Sequence, residues 1–243
     1  MAEYDNNTFA VLQKGVRDSS SNILQLGINQ NFSNLLNPFV IPGAFAQTGL
    51  RIMNDWFGIS GGIRTNMNTF TTDGMNGLQT LFPRASFSYA IANKWTANAS
   101  SGIYYKLPVC TLLGYADNNN LLVNKNAKYI RLIQYTTGFE NLSNDGLRFT
   151  MEGFYKYYSN VAVSARDGIS FGNLGTDFTA LDNEADNTNG KGQAYGFDFF
   201  VLKNLTKNFF GILSYTYDRS MCSGVDSRLI APSRNNKHFL SII

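Results

Sequence analysis

The stretch PRASFSYAIANKWTANASSGIYYKLP (residues 83–108) holds two alternating runs joined at Asn93-Lys94. In the first, Ala85, Phe87, Tyr89 and Ile91 share one face, and Arg84, Ser86 and Ser88 the other. In the second, Trp95, Ala97, Ala99, Ile103, Tyr105 and Leu107 lie opposite Thr96, Asn98, Ser100 and Lys106. Successive side chains of a strand point to opposite faces, so period-two alternation on both sides of a tight polar turn specifies a β-hairpin. One face holds small hydroxyls and amides with long cations at its ends, and the other holds aromatics towards its ends. A strand with lipid on one side and a wet lumen on the other distributes its residues in this way.

The rest of the chain repeats the unit. Upstream, alternation predicts strands over 20–32, 43–52 and 56–70. Downstream it predicts strands over 129–142, 147–165, 192–202 and 209–220, and a last run beginning near Asn236. The connections alternate in length. Those at Asn54-Asp55, Asn93-Lys94, 143–146 and 203–207 are short, while 71–81, 108–128, 166–191 and 221–235 are long. Transmembrane barrels sort their loops by end, and a soluble β-sandwich has no reason to. The expected fold is all-β, an antiparallel up-and-down transmembrane β-barrel with about ten strands.

Composition bounds the function. Charged residues make up 15% of the 243 and aromatics 14%, against ~25% charged in an average soluble protein. A net charge of +3 is too small to argue for nucleic acid or an acidic substrate. No apolar run approaches the ~20 residues of a transmembrane helix, but alternating strands keep mean hydropathy near neutral even in a membrane. Residues 1–7 show neither the basic nor the apolar region of a signal peptide. An outer-membrane protein needs one, so either the membrane reading is wrong or the chain is a piece of a longer protein.

Seven segments recur in the order and spacing of a known family. They are Gly43-Ala-Phe-Ala-Gln47, Gly61-Gly-Ile-Arg-Thr-Asn66, Pro83-Arg-Ala-Ser-Phe-Ser-Tyr89 and Ala99-Ser-Ser-Gly-Ile-Tyr-Tyr-Lys-Leu-Pro108. Glu152-Gly-Phe-Tyr-Lys156, Gly192-Gln-Ala-Tyr-Gly-Phe-Asp198 and Ser214-Tyr-Thr-Tyr217 complete the set. Together they resemble the barrel of TonB-dependent outer-membrane receptors, most closely the Bacteroidetes type. The resemblance covers about residues 40–243 and rests on their order and spacing. It implies a 22-strand-type barrel around a plug, in the outer membrane of a Gram-negative cell and in contact with its lipid. It also implies active uptake of a scarce nutrient (siderophore, haem, vitamin or glycan class) bound at extracellular loops. TonB–ExbB–ExbD would drive it through a TonB box. Residues 1–243 read as a partial barrel without plug, TonB box or signal peptide. The alternatives are a passive porin-like or structural barrel, and a secreted β-rich binding module.

The residues expected to face the lumen are Arg64, Arg84, Lys106, Arg148, Glu152, Lys156 and Asp198. They could meet a plug or an anionic ligand, although a solvated and mutually paired interior needs neither. The residues expected in an aromatic girdle are Trp56, Trp95, Tyr104, Tyr105, Tyr155 and Tyr157. Asp182, Glu184 and Asp186 sit two apart, as calcium loops place carboxylates, but Asn187 and Gln193 occupy the Gly and Glu positions of that pattern. Incidental surface acidity is the simpler account. Gly190-Lys-Gly192-Gln-Ala-Tyr-Gly196 misses the dinucleotide spacing and opens a strand rather than a helix. His238 is the sole histidine and has no ligand-spaced partner, so no catalytic residue, metal site or cofactor is expected and an enzyme is disfavoured. Cys110 and Cys222 both follow strand ends on the same side, where either a disulfide or two separate thiols fits. The Asn-x-Ser/Thr triplets at Asn6, Asn31, Asn98, Asn141 and Asn204 are what so Asn-rich a chain yields by chance.

Overall fold

The computed structural model describes residues 9–13, 16–17, 23–25, 28–32, 40–116, 121–174, 185–206, 209–232 and 235–243. Four short strands come first: β1 (Phe9–Gln13), β2 (Val16–Arg17), β3 (Ile23–Gln25) and β4 (Ile28–Phe32). β1 pairs with β4 and β2 with β3, all antiparallel, in two small sheets of their own. The expected strand over 20–32 is thus two short pieces that pair locally instead of opening the main sheet.

The main sheet runs in chain order. Its strands are β5 (Gly43–Ile52), β6 (Phe57–Asn66), β7 (Leu81–Ala92), β8 (Trp95–Lys106), β9 (Ile130–Leu142), β10 (Leu147–Ser164), β11 (Asp186–Thr206) and β12 (Phe209–Ser223). Two short strands share the outer edge of β12: β13 (Leu229–Ile230) at its far end and β14 (His238–Ile242) along Leu213–Tyr217. Every pair is antiparallel, and the ten strands form an open meander. Among the described residues no helix is long and apolar enough to cross a membrane.

Turn chemistry sets the order. Met53, Asn54 and Asp55 take left-handed φ values of 55°, 54° and 69° and reverse the chain between β5 and β6. Asn93-Lys94 joins β7 to β8, with Ala92 opposite Trp95. Gly146, at φ 71°, closes the turn between β9 and β10, where a side chain would strain the backbone. β11 starts at Asp186 and not, as the alternation suggested, at Gly192. Its first residues pair with Val161–Ser164 of β10 across a bulge next to Asn160, whose φ is 57°.

Burial is concentrated at one end. The dry cluster is Phe82, Leu112, Leu113, Val161, Ala162, Val163 and Ala194, with the buried polar residues Asn68, Thr80, Asn124, Ser164, Ser170 and Ser223 among them. All but Ala194, which pairs with Lys156 and Ser220 farther down the sheet, lie where the long connections meet the strands. Each long connection is bonded to the next. Thr72 N–H donates to Lys125 O (3.0 Å), and Asp186 N–H to Asn124 Oδ1 (2.9 Å). Asn124 Nδ2 donates to Leu112 O (2.7 Å), and Val225 N–H to Gly168 O (3.0 Å). A short helical turn, α1 (Cys110–Leu113), supplies the two leucines.

Candidate functional site

Register decides which side chains share a face. Arg84 stands opposite Gly62 and Gly102, Ser100 opposite Thr136, Thr136 opposite Phe154, and Glu152 opposite Asp198. Through these pairs, Arg64, Arg84, Lys106, Arg148, Glu152, Lys156 and Asp198 fall on a single polar face of the sheet. They do not form one cluster on it. Lys106, Glu152, Lys156 and Asp198 line a cavity of about 750 Å³, together with Tyr104, Phe154, Tyr158 and Asp218. Lys156 Nζ lies 4.7 Å from the centre of the Phe154 ring, and Thr216 Oγ1 donates to Asp198 Oδ1 at 2.6 Å. Glu152 and Asp198 face each other across β10 and β11, an arrangement that is unfavourable unless water or a cation lies between them. Arg148 Nε instead pairs with Glu140 (2.8 Å) nearer the short turns. Arg64 lies over Phe82 at 6.0 Å and donates to Asn66 Oδ1. Arg84 lines a separate polar recess with Gln47, Ser60 and Tyr104.

The opposite face is apolar. One row across it reads Phe87, Ala99, Thr137, Gly153, Phe197, Tyr217 and His238. The next row towards the long connections reads Ser101, Tyr135, Tyr155, Tyr195 and Arg219. Nearer the short turns, Trp95 meets Phe149 edge-on at 6.1 Å, and Phe149 meets Phe199 at 5.2 Å. These side chains are open to solvent: Tyr135 is 53% exposed and Phe139 49%. So wide an apolar surface in a soluble protein marks an interface.

Trp95, Tyr105, Tyr155 and Tyr157 fall on this apolar face by register, and Trp56 sits in the turn before β6. Tyr104 does not. It follows Gly102 on the polar face, its ring occupying the space a Gly102 Cβ would fill, 2.9 Å away. Consecutive strand residues cannot share a face, so Tyr104 and Tyr105 cannot both belong to one girdle. Sequence reasoning missed Arg219. It lies within the predicted strand over 209–220, and its parity, opposite to that of Asp218, was the available signal.

The remaining candidates resolve into structural roles. Asp186 Oδ1 accepts from Val163 N–H (3.1 Å), and no metal-binding group of three occurs among the described residues. Asp182 and Glu184 lie outside the described residues. Cys222 is a free thiol. His238 Nδ1 lies 2.8 Å from the Tyr215 hydroxyl on the apolar face.

Residues 3–239 match the family model described as TonB dependent receptor-like, beta-barrel. No curated protein matches the chain. Among solved structures it is similar to the alcaligin outer-membrane receptor FauA from Bordetella pertussis. That match has a TM-score of 0.56 at 14% identity and covers 88% of this chain and 36% of that one. It is also similar to the siderophore receptor PirA from Pseudomonas aeruginosa (TM-score 0.55, 16% identity, 76% of this chain and 34% of that one). A third is the Pseudomonas aeruginosa ferripyoverdine receptor bound to ferripyoverdine (TM-score 0.58, 13% identity, 84% and 25%). At these identities the likeness speaks for fold, and the chain spans between 25% and 36% of the length of these structures.

Proposed function

The chain belongs to the TonB-dependent receptor-like β-barrel family, and from that premise we propose that its ten-stranded sheet is a sector of an outer-membrane barrel that takes up a scarce nutrient. One observation carries this reading: a single register sorts the strand carboxylates and most polar side chains to one face and exposed aromatics and aliphatics to the other. Such a sheet is stable with lipid on its apolar side and water or protein on the other. Arg64, Arg84, Lys106, Arg148, Glu152, Lys156 and Asp198 then face the lumen. Trp56, Trp95, Tyr105, Tyr155 and Tyr157 face the lipid or its boundary. The bonded long connections form the ligand-facing end.

A ferric siderophore is the ligand class we favour, because similar structures include receptors named for siderophores. TonB is the proposed energy source, acting through the plug of the whole receptor, and we assign the chain no catalytic role. The Bacteroidetes subtype rests on the motifs Gly61-Gly-Ile-Arg-Thr-Asn66 and Ser214-Tyr-Thr-Tyr217.

Two measurements test the proposal. In cells carrying the protein, uptake of a ferric siderophore should stop when the proton gradient is dissipated. Uptake that continues identifies a passive pore. The purified chain should stay dispersed only with detergent or lipid. A monomeric, cooperatively folded species in plain buffer would mean a soluble module.

A further inference from the structure

The apolar face holds one feature that contact with hydrocarbon does not account for. On its strands, from the row of Lys191 down to the short turns, there is no carboxylate, and the charged residues are all cations: Arg131, Lys191, Arg219 and Lys203. Arg131 and Lys191 stand at the upper margin. From Arg131 to Asn141 is ten residues along β9, about 34 Å of strand, or about 24 Å of height at a tilt of ~45°. That matches an apolar band of ~25 Å, with these two cations at its edge. Lys203 lies at the short-turn edge.

Arg219 does not lie at an edge. It is exposed, opposite Tyr195 and flanked on its own strand by Tyr217 and Met221, and among the described residues it makes no ion pair. A lone guanidinium on a lipid-facing surface is costly and calls for an anion. Directly below its row lies an apolar trough of about 640 Å³. Ala99, Thr137 and Gly153 make its floor because they are the small residues of one row, and Phe87 and Phe197 close the row at either side. Tyr135, Tyr155 and Tyr195 overhang it.

We propose that Arg219 and this trough form a binding site for a phosphorylated lipid in the leaflet nearer the long connections. Arg219 holds the phosphate, the tyrosyl hydroxyls approach the acyl ester region, and one acyl chain lies in the trough. Charge complementarity selects the headgroup, since the face offers cations and no carboxylate to repel a phosphate. Continuity with the lipid-facing surface selects a membrane lipid over a protein segment. The site rests on the reading of that face as membrane-embedded.

The test uses the full chain in nanodiscs containing equal parts phosphatidylglycerol and phosphatidylcholine with identical acyl chains, and counts co-purifying lipids by native mass spectrometry. The wild-type protein should retain phosphatidylglycerol preferentially. Arg219→Gln should reduce that preference about three- to fivefold, the scale of an exposed ion pair, and Arg219→Lys should keep most of it. Gly153→Leu, at a position where a Cβ meets nothing closer than 3.9 Å, should lower retention of both lipids by filling the trough while leaving the thermal unfolding of the protein cooperative. Equal retention of the two lipids by wild type, or an undiminished preference in Arg219→Gln, overturns the site. That second outcome is the one expected if Arg219 pairs with a carboxylate of a neighbouring strand. If the wild-type chain instead remains monomeric in detergent-free buffer and retains neither lipid, the membrane reading itself fails along with it.

Discussion

Asn68 shows how much of the long-connection end hangs on one side chain. It is fully buried. Its Oδ1 accepts from Phe70 N–H (3.0 Å) and Thr71 N–H (2.8 Å), while its Nδ2 donates to the Tyr129 hydroxyl (3.0 Å) and to Thr71 Oγ1 (3.0 Å). The carboxamide thus shapes one connection and fastens it to the next. Asn68→Ala strands these partners, at a cost of about 1–3 kcal/mol for each one left unsatisfied. Amide exchange should accelerate first at Phe70 and Thr71, and unchanged exchange there would sink the assignment. The same contact has a pH signature. Burial pushes the Tyr129 hydroxyl above the ordinary value of 10.0, partly opposed by its bond to Asn68. A group held protonated by the fold contributes stability that is fully present below its unfolded pKa and is lost as pH climbs through the raised folded value. Wild-type protein should therefore lose melting temperature as pH rises above about 10, the ordinary tyrosine value, and Tyr129→Phe should flatten that decline.

Two glycines on neighbouring strands separate what an element tolerates from what it needs. A Cβ at Gly196 of β11 would run into the Tyr217 carbonyl oxygen and lie 2.9 Å from the tip of the Phe154 ring. Gly196→Ala should push β11 away from β12 and cost about 1–3 kcal/mol or more, as overpacking does. A Cβ at Gly153 of β10 would make only ordinary van der Waals contacts, the nearest at 3.9 Å, so Gly153→Ala should stabilise by about 0.4–1 kcal/mol through the unfolded chain. Denaturant midpoints in detergent should move in opposite directions, and a shared direction would contradict the β10–β11–β12 register. That register was largely legible in the sequence, because tight turns such as Asn93-Lys94 and 143–146 carry the parity of one strand into the next. Seven charged residues read strand by strand therefore landed on one face. The start of β11 was not legible: Asp-Asn-Thr-Asn-Gly has poor strand propensity, and it is extended because β10 pairs with it and Asp186 binds Val163 N–H. Nor was the dry cluster, since Leu112 is covered through bonds such as Asp186 to Asn124, made between segments far apart in the chain. Tyr104 is the exception among the expected girdle residues: its aromatic ring suggests the girdle, but its parity, opposite to that of Tyr105, puts it on the polar face.

At the scale of the whole molecule, the two ends of the sheet differ chemically in a way that a bilayer would read. The long-connection end carries the bonded cap. At the other end sit both tryptophans of the chain, Trp56 beside the turn after β5 and Trp95 beside the turn after β7. Trp95 is 43% exposed and Trp56 47%, so neither is a core residue, and indole rings partition to the membrane–water boundary. If the apolar face crosses the bilayer, both rings lie at one interface and none at the midplane, giving the intrinsic fluorescence a single depth. In vesicles whose acyl chains are brominated near the headgroup, emission should be quenched strongly, and bromines near the chain ends should quench it weakly. Trp56→Phe and Trp95→Phe should each remove part of the signal without changing that depth profile. Stronger quenching by the deep bromines would place the turns inside the hydrocarbon. Quenching by aqueous iodide alone would leave the sheet outside the membrane, and either result would require another partner for the exposed face of Ile59, Phe87, Phe139 and Met151.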